Sequence, residues 1–342
     1  MTRSASVPPG LHLSPLARWF AGAVPDAGSE LSADLITGGR SNLTYRVSDG
    51  DRSWVLRRPP LGHVLATAHD MNREFRVMSA LAATAVPVPR MVAFCDDESV
   101  LGAPFYVMED VDGTPYRLAD ELRALGPRRT RTISTRLVDT LATLAAVDPR
   151  AVGLADFGRP EGFLARQVER WRRQFDASRS RELPAADELH SALARTVPPE
   201  SAIAVVHGDF RLDNVLVDAS DRPVAVIDWE MATLGDPLTD LALMVVYARL
   251  GALLRDVASD VATAPGYLSE HETLERYTAS TGHALPEFGW YVALASYKLA
   301  AIVAGIHVRH IQGKTVGDGF DDLGTATEPL LEAGLAALKG QA

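Results

Sequence analysis

The sequence predicts an α+β protein of two lobes, a smaller lobe built on an antiparallel sheet and a larger, mainly helical one. Three observations carry this reading. Strand-like runs crowd into the first third, residues 118–198 read mainly as helices, and a compact strand block at 203–228 is followed by helical pattern to the end. The boundary falls near residue 110, giving a first lobe at 1–110, with an N-terminal helical extension, and a second at 111–342.

Within the first lobe, residues 42–47 and 53–57 read as strands around Asp49-Gly50, a turn dipeptide suited to a hairpin. Pro59-Pro60 ends the second strand because proline cannot donate to a ladder. Residues 69–81 form a helix whose apolar stripe is Met71, Phe75, Met78 and Leu81. Pro87 and Pro89 close it off, and two more strands follow at 91–94 and 104–108. The Asp- and Gly-rich stretch 110–113 reads as the connection between lobes.

Composition narrows the function classes. Of 342 residues, 47% are hydrophobic and 23% charged, enough for a core and too apolar for a disordered chain. A surplus of 44 acidic over 34 basic residues gives a net charge of −10, which argues against a nucleic-acid partner. The single cysteine, Cys95, reads as a reduced thiol. The apolar runs 241–248 and 299–306 are each shorter than the roughly 18–20 residues that span a bilayer, so no membrane association and a cytoplasmic location are expected.

The chemistry concentrates in residues 203–230. Two short apolar strands, 215–217 and 224–227, flank a polar loop, and as a hairpin they bring Asn214 opposite Asp228. Asp209 precedes them on a loop behind His207-Gly208. Any one of these residues alone reads as a turn former. Together they offer a few hard oxygen ligands, the set that suits Mg²⁺ shared with substrate phosphates. The order His-x-Asp, four residues to Asn, then Asp after a hairpin is that of the catalytic and metal loops of kinases.

The strings His207-Gly208-Asp209-Phe210-Arg211-Leu212-Asp213-Asn214, Ile227-Asp228-Trp229-Glu230 and Leu234-Gly235-Asp236-Pro237-Leu238-Thr239-Asp240 resemble the aminoglycoside phosphotransferase/choline kinase-like family. More narrowly, they resemble the branch that includes kinase domains fused to acyl-CoA dehydrogenases. The resemblance implies a protein-kinase-like fold and an ATP-dependent transfer of the γ-phosphoryl group to a small-molecule hydroxyl, with GTP as the other candidate donor. It implies that Asp209 takes or aligns the acceptor hydroxyl, that Asn214 and Asp228 hold Mg²⁺, and that Arg211 neutralises phosphate charge. A solvated loop arginine is the other reading of Arg211. His207 reads as structural, and Asp240 as a buried brace of the catalytic loop.

For the nucleotide, such an enzyme needs a strand cation held by a helix carboxylate. Arg57 stands at the strand position where the general pattern has lysine, and Glu74, on the edge of the helix stripe, is its expected partner. Arg58, on the strand's other face, is the second choice. Gly39, Ser41 and Asn42 read as phosphate-loop residues or, equally, as part of a plain Gly-Gly turn. The Glu109 carbonyl and the Val111 N–H would meet the adenine edge. Three readings of the substrate compete: a hydroxyacyl-CoA kinase, an aminoglycoside phosphotransferase, and a nucleotide-binding pseudokinase, which retention of Asp209, Asn214 and Asp228 disfavours. A protein kinase is disfavoured by the lack of anything after Asp228 that resembles an activation segment ending in Ala-Pro-Glu. Arg166, Arg170 and Arg173 form a basic stripe opposite the apolar face of Leu164, Val168, Trp171 and Phe175. It reads either as solvated surface or as a surface for an anionic acceptor. The oligomeric state is not legible.

Overall fold

The structure is a computed structural model, and it describes residues 8–36, 42–61, 70–179, 181–253, 259–313 and 323–340. The chain divides into two compact units, one of Met1–Gly113 with Val224–Glu230, the other of Thr114–Pro223 with Met231–Ala342. The first lies close to the lobe expected at 1–110. It also claims a short downstream segment that contains Asp228.

In the first unit, helix α1 (Leu13–Ala23) precedes a sheet of five strands: β1 (Ser32–Leu35), β2 (Leu43–Ser48), β3 (Ser53–Arg58), β4 (Met91–Cys95) and β5 (Phe105–Glu109). All pairings are antiparallel, in the order β1-β2-β3-β5-β4. The β2–β3 connection is longer than a two-residue hairpin. Ser48 pairs with Ser53, and the Asp49 carboxylate caps the loop by accepting from the Asp51 and Arg52 N–H groups at 3.0 and 2.8 Å. The apolar face of α1 covers the sheet, with Phe20 edge-on to Trp54 and Trp19 edge-on to Phe105. Helix α2 (Met71–Leu81) begins at Asp70, whose side chain accepts from the Arg73 N–H at 3.0 Å. A helical turn, α3 (Glu98–Leu101), links β4 to β5.

The second unit holds α4 (Ala119–Leu125), α5 (Pro127–Ala145), α6 (Phe163–Ala177) and α7 (Pro184–Arg195). The strand β6 (Ala204–Val206) and then β7 (Val215–Val217) follow. The next strand, β8 (Pro223–Val226), leads into the first unit, where the Val226 N–H donates to the Pro87 carbonyl at 2.8 Å. Back in the second unit, β9 (Thr233–Gly235) pairs antiparallel with β6. The helices α8 (Leu238–Leu253), α9 (Glu270–Thr281), α10 (Phe288–Ile311) and α11 (Thr327–Leu338) complete the chain.

On α6 the expected apolar face is buried: Leu164, Val168, Trp171 and Phe175 are all under 3% exposed. The apolar run at 299–306 belongs to the 24-residue α10. Among the described residues α10 alone is long and apolar enough to cross a membrane by length and composition, and 67% of its most apolar window is buried within the protein. The alanine-rich α10 packs against α11, α8 and α6, so it forms the core of the second unit.

Candidate active site

In the first unit, β3 and α2 bring Arg57 and Glu74 together. Arg57 lies mid-sheet and Glu74 faces the sheet from α2. Arg57 Nε lies 3.4 Å from Glu74 Oε2, and both side chains are buried. The guanidinium also donates through Nη2 to Asp228 Oδ1 and lies 3.9 Å from Glu230 Oε2. Burial opposes the Arg57 charge, but the carboxylates of Glu74 and Asp228 outweigh it and hold the group protonated more firmly than usual. Burial pushes the Glu74 carboxyl up, and the Arg57 charge pulls it back. Glu74 Oε2 also accepts from the Tyr106 hydroxyl at 3.0 Å.

Three residues read as nucleotide contacts stand differently. Asn42, expected at phosphate, instead gives its amide N–H groups to Glu74 Oε1 at 3.3 Å and Glu230 Oε2 at 3.2 Å. Gly39 and Ser41 lie outside the described residues. Glu109 closes β5 opposite Trp54 with its side chain exposed, and Val111 follows in the irregular connection. Arg58, the second choice for the strand cation, donates to the carbonyls of Gly10 and Leu101 at 2.6 and 2.7 Å.

Asp228 adopts a left-handed backbone conformation, φ +66°, which an aspartate tolerates better than most residues. The neighbouring Trp229 anchors the turn by donating its indole N–H to the Val226 carbonyl at 2.9 Å.

In the second unit, the loop after β6 presents Asp209. Both of its oxygens are held: Oδ1 accepts from the Tyr247 hydroxyl of α8 at 2.6 Å, and Oδ2 from Asn214 Nδ2 at 3.0 Å. Asn214 Nδ2 also donates to the Asp209 carbonyl at 2.9 Å. Its amide nitrogen is thus committed to Asp209, and its amide oxygen accepts no hydrogen bond among the described residues. That oxygen and the second oxygen of Asp228 are hard donors of the kind Mg²⁺ takes.

Arg211 does not stand free toward a phosphate. It pairs with Asp213 and lies 4.7 Å over the ring of Tyr247. Burial works against its charge, but Tyr247, Asp213 and Asp209 together hold it strongly protonated. Its contact with Asp209 therefore runs through Tyr247.

The loop itself is pinned from α8. Asp240 Oδ2 and Oδ1 accept from the N–H groups of His207 and Gly208 at 2.6 and 2.8 Å, and the Asp209 N–H donates to His207 Nδ1 at 3.2 Å. Burial raises the Asp240 carboxyl, and His207 pulls it back. Gly208 has φ +83°, and a Cβ there would lie 2.8 Å from the Met231 carbonyl oxygen. Gly208→Ala is therefore expected to lower stability by at least about 1–2 kcal/mol from backbone conformation alone. The denaturation midpoint reads this directly, and an unchanged midpoint would contradict the loop geometry.

A cleft with about 500 Å³ of empty space, a figure that includes adjoining open solvent, lies within the second unit. Its lining includes Phe163 and Trp171 from α6, Leu243 from α8, and Leu294, Ala295 and Lys298 from α10. Lys298, like Tyr247, is a residue the sequence reading overlooked. Its Nζ donates to the Gly208 carbonyl and lies 5.3 Å from the Trp171 ring centroid. The legible signal was its isolation: α10 carries no other Asp, Glu, Lys or Arg before Arg309. Of the basic stripe, only Arg170 lines this cavity. Arg166 donates to the carbonyls of Glu161 and Arg159 near the start of α6, and Arg173 is exposed.

This geometry agrees with what the chain is similar to. Residues 32–276 match the model of the phosphotransferase enzyme family, known as APH. Acyl-CoA dehydrogenase family member 11 of Gallus gallus is 34% identical over 332 residues, covering 95% of this chain but 42% of that protein. The chain thus spans about two fifths of the length of that relative. A solved structure from Ralstonia eutropha JMP134, named provisionally as an aminoglycoside phosphotransferase, is 32% identical with a TM-score of 0.84, covering 96% of this chain and 98% of that one. A thermostable mutant of aminoglycoside phosphotransferase APH(4)-Ia, solved with AMP-PNP and hygromycin B, shares the fold at a TM-score of 0.61 and 17% identity, covering 95% and 98% of the two chains. The resemblance seen in the residue strings and the kinase-like α+β fold both hold, and the chain belongs to the phosphotransferase enzyme family.

Proposed function

We propose that the protein transfers the γ-phosphoryl group of ATP to a hydroxyl of a small molecule, with hydroxyacyl-CoA the favoured acceptor class, acting in the cytoplasm. The observation that carries the reading is Asp209, a carboxylate fixed on both oxygens by Asn214 and Tyr247 at the mouth of a pinned loop. A fixed carboxylate can align an acceptor hydroxyl and take its proton as the oxygen attacks the γ-phosphorus. The new O–P bond forms as the bond to the β,γ-bridging oxygen breaks. ADP carries that electron pair away, and the proton passes through Asp209 to solvent.

The chain's own residues divide the remaining work. Asn214 of the second unit and Asp228 of the first are oxygen donors that would hold Mg²⁺, and the ion would supply neutralisation of charge on the transferring phosphates. Arg57, held by Glu74, is the cation for the nucleotide phosphates. The backbone at Glu109 and Val111 receives the base. Arg211 supports Tyr247, which in turn orients Asp209.

Asp228→Ala is expected to weaken Mg²⁺-dependent ATP binding as well as turnover. Calorimetry with and without Mg²⁺ separates the two, and unchanged MgATP binding would remove Asp228 from the metal site. Support for hydroxyacyl-CoA over an aminoglycoside comes from the acyl-CoA dehydrogenase names of the relatives and from the cations at the second-unit cavity. The overall test offers ATP and GTP with hydroxyacyl-CoAs, aminoglycosides and amino alcohols, reading product mass. Phosphorylation of aminoglycosides in preference to hydroxyacyl-CoAs would reverse the choice of acceptor.

A further inference from the structure

The second-unit cavity brings together two cations that lack carboxylate partners. Lys298 and Arg170 approach the same buried indole, Trp171, at 5.3 and 5.2 Å, and both line the cavity. Among the described residues, neither makes an ion pair within 4.0 Å. An ammonium has three donors, and only one, to the Gly208 carbonyl, is taken. Two donors of a half-buried cation are left over, beside the carbonyl that immediately precedes Asp209. Leaving such a group without a partner is costly. Beside these cations the lining carries apolar Phe163, Leu243 and Leu294 together with polar Thr233, Thr239 and Asp240, so a ligand that pairs an aliphatic body with an electron-rich oxygen can meet the apolar wall and Lys298 at once.

We propose that Lys298, with Arg170 beside it, is the specificity-determining residue of the acceptor site: it receives the carbonyl or carboxylate oxygen of an acyl-type alcohol while the chain lies against the apolar wall. This rests on the phosphotransferase reading and deepens it. A polycationic sugar brings ammonium groups to the same place and meets repulsion from both cations. The titratable groups that face Lys298 are Asp209 from the loop after β6, Asp240 from α8 and Arg170 from α6. Burial pushes the lysine down to about 8, against the pull of the two carboxylates, with Arg170 adding to the depression. A ligand oxygen bound to the protonated amine would therefore be held more weakly as pH rises through that value.

The test compares matched probes on the intact protein by calorimetry: hydroxyhexanoates, their CoA thioesters, and hexanediols with the hydroxyl at the same carbon. The wild type is expected to bind a hydroxyhexanoate or its thioester at least about tenfold more tightly than the matched diol, the scale of one charge-assisted hydrogen bond. The better acyl probe identifies the source of the oxygen. Lys298→Met should abolish that preference with little change in MgATP affinity, and Lys298→Arg should restore much of it. In the wild type, the preference should also fall between about pH 7 and about pH 9 as the amine deprotonates, a measurement that needs no variant. Equal binding of diol and acyl probe, an unchanged preference in Lys298→Met, equal weakening of both probes, or a preference flat with pH would each overturn the proposal. A Lys298-dependent preference without any phosphorylated product would uphold this inference and defeat the phosphotransferase reading instead.

Discussion

Asp209→Asn is expected to slow phosphoryl transfer by on the order of 10³-fold, the middle of the range for a positioned acid or base, with MgATP affinity little changed. The amide is the same size and stays on the same loop, which Asp240 and Gly208 hold independently. What it loses is proton affinity. It also sets an NH₂ group against either the Tyr247 hydroxyl or the Asn214 amide, both of which now donate to Asp209. Steady-state kinetics read the chemical loss and calorimetry reads nucleotide binding. A variant that keeps most of the wild-type rate would remove Asp209 from the reaction.

The second large effect belongs to the buried cluster on the sheet. Arg57→Ala leaves Glu74 buried with its hydrogen bonds from Tyr106 and Asn42 but no neutralising cation. Glu74→Ala strips Arg57 of its helix carboxylate while Asp228 remains. Breaking one side of a buried pair costs roughly 3–5 kcal/mol, because the remaining charge is left in low dielectric. Each single variant is therefore expected to be strongly destabilised, and the double variant to lose much less than the sum. ATP affinity should show the same non-additivity. Additive losses would mean that the two groups act separately and would move the nucleotide cation elsewhere.

Much of this was legible from residue order alone. The catalytic string lies within one short window, and its roles depend on spacing that a strand, a loop and a second strand impose. The Arg57–Glu74 pair was legible because a carboxylate on the apolar edge of α2 must find a cation, and β3 offered one. Contacts made by distant side chains carried no such signal. Tyr247 reaches Asp209 across 38 residues from within an apolar stretch of α8, and no spacing rule marks that tyrosine. Arg211 reads as a phosphate contact because it stands where protein kinases carry a catalytic-loop lysine, with a solvated loop arginine as the other reading. The structure gives it to Asp213, two residues on, and to Tyr247, and only the second partner, brought in by α8, is beyond what local sequence encodes. Asn42 and Glu230 meet across 188 residues for the same reason. The basic stripe of α6 failed as a unit because one arginine turned to backbone carbonyls at the helix start and another toward Trp171.

The most direct test of the central claim is to count products against nucleotide consumed. With the preferred acceptor, purified protein and MgATP, the account predicts one phosphoester of the acceptor per ADP formed, and neither product from Asp209→Asn on the same timescale. ADP accompanied only by inorganic phosphate, or equal phosphoester yield from the variant, would contradict it.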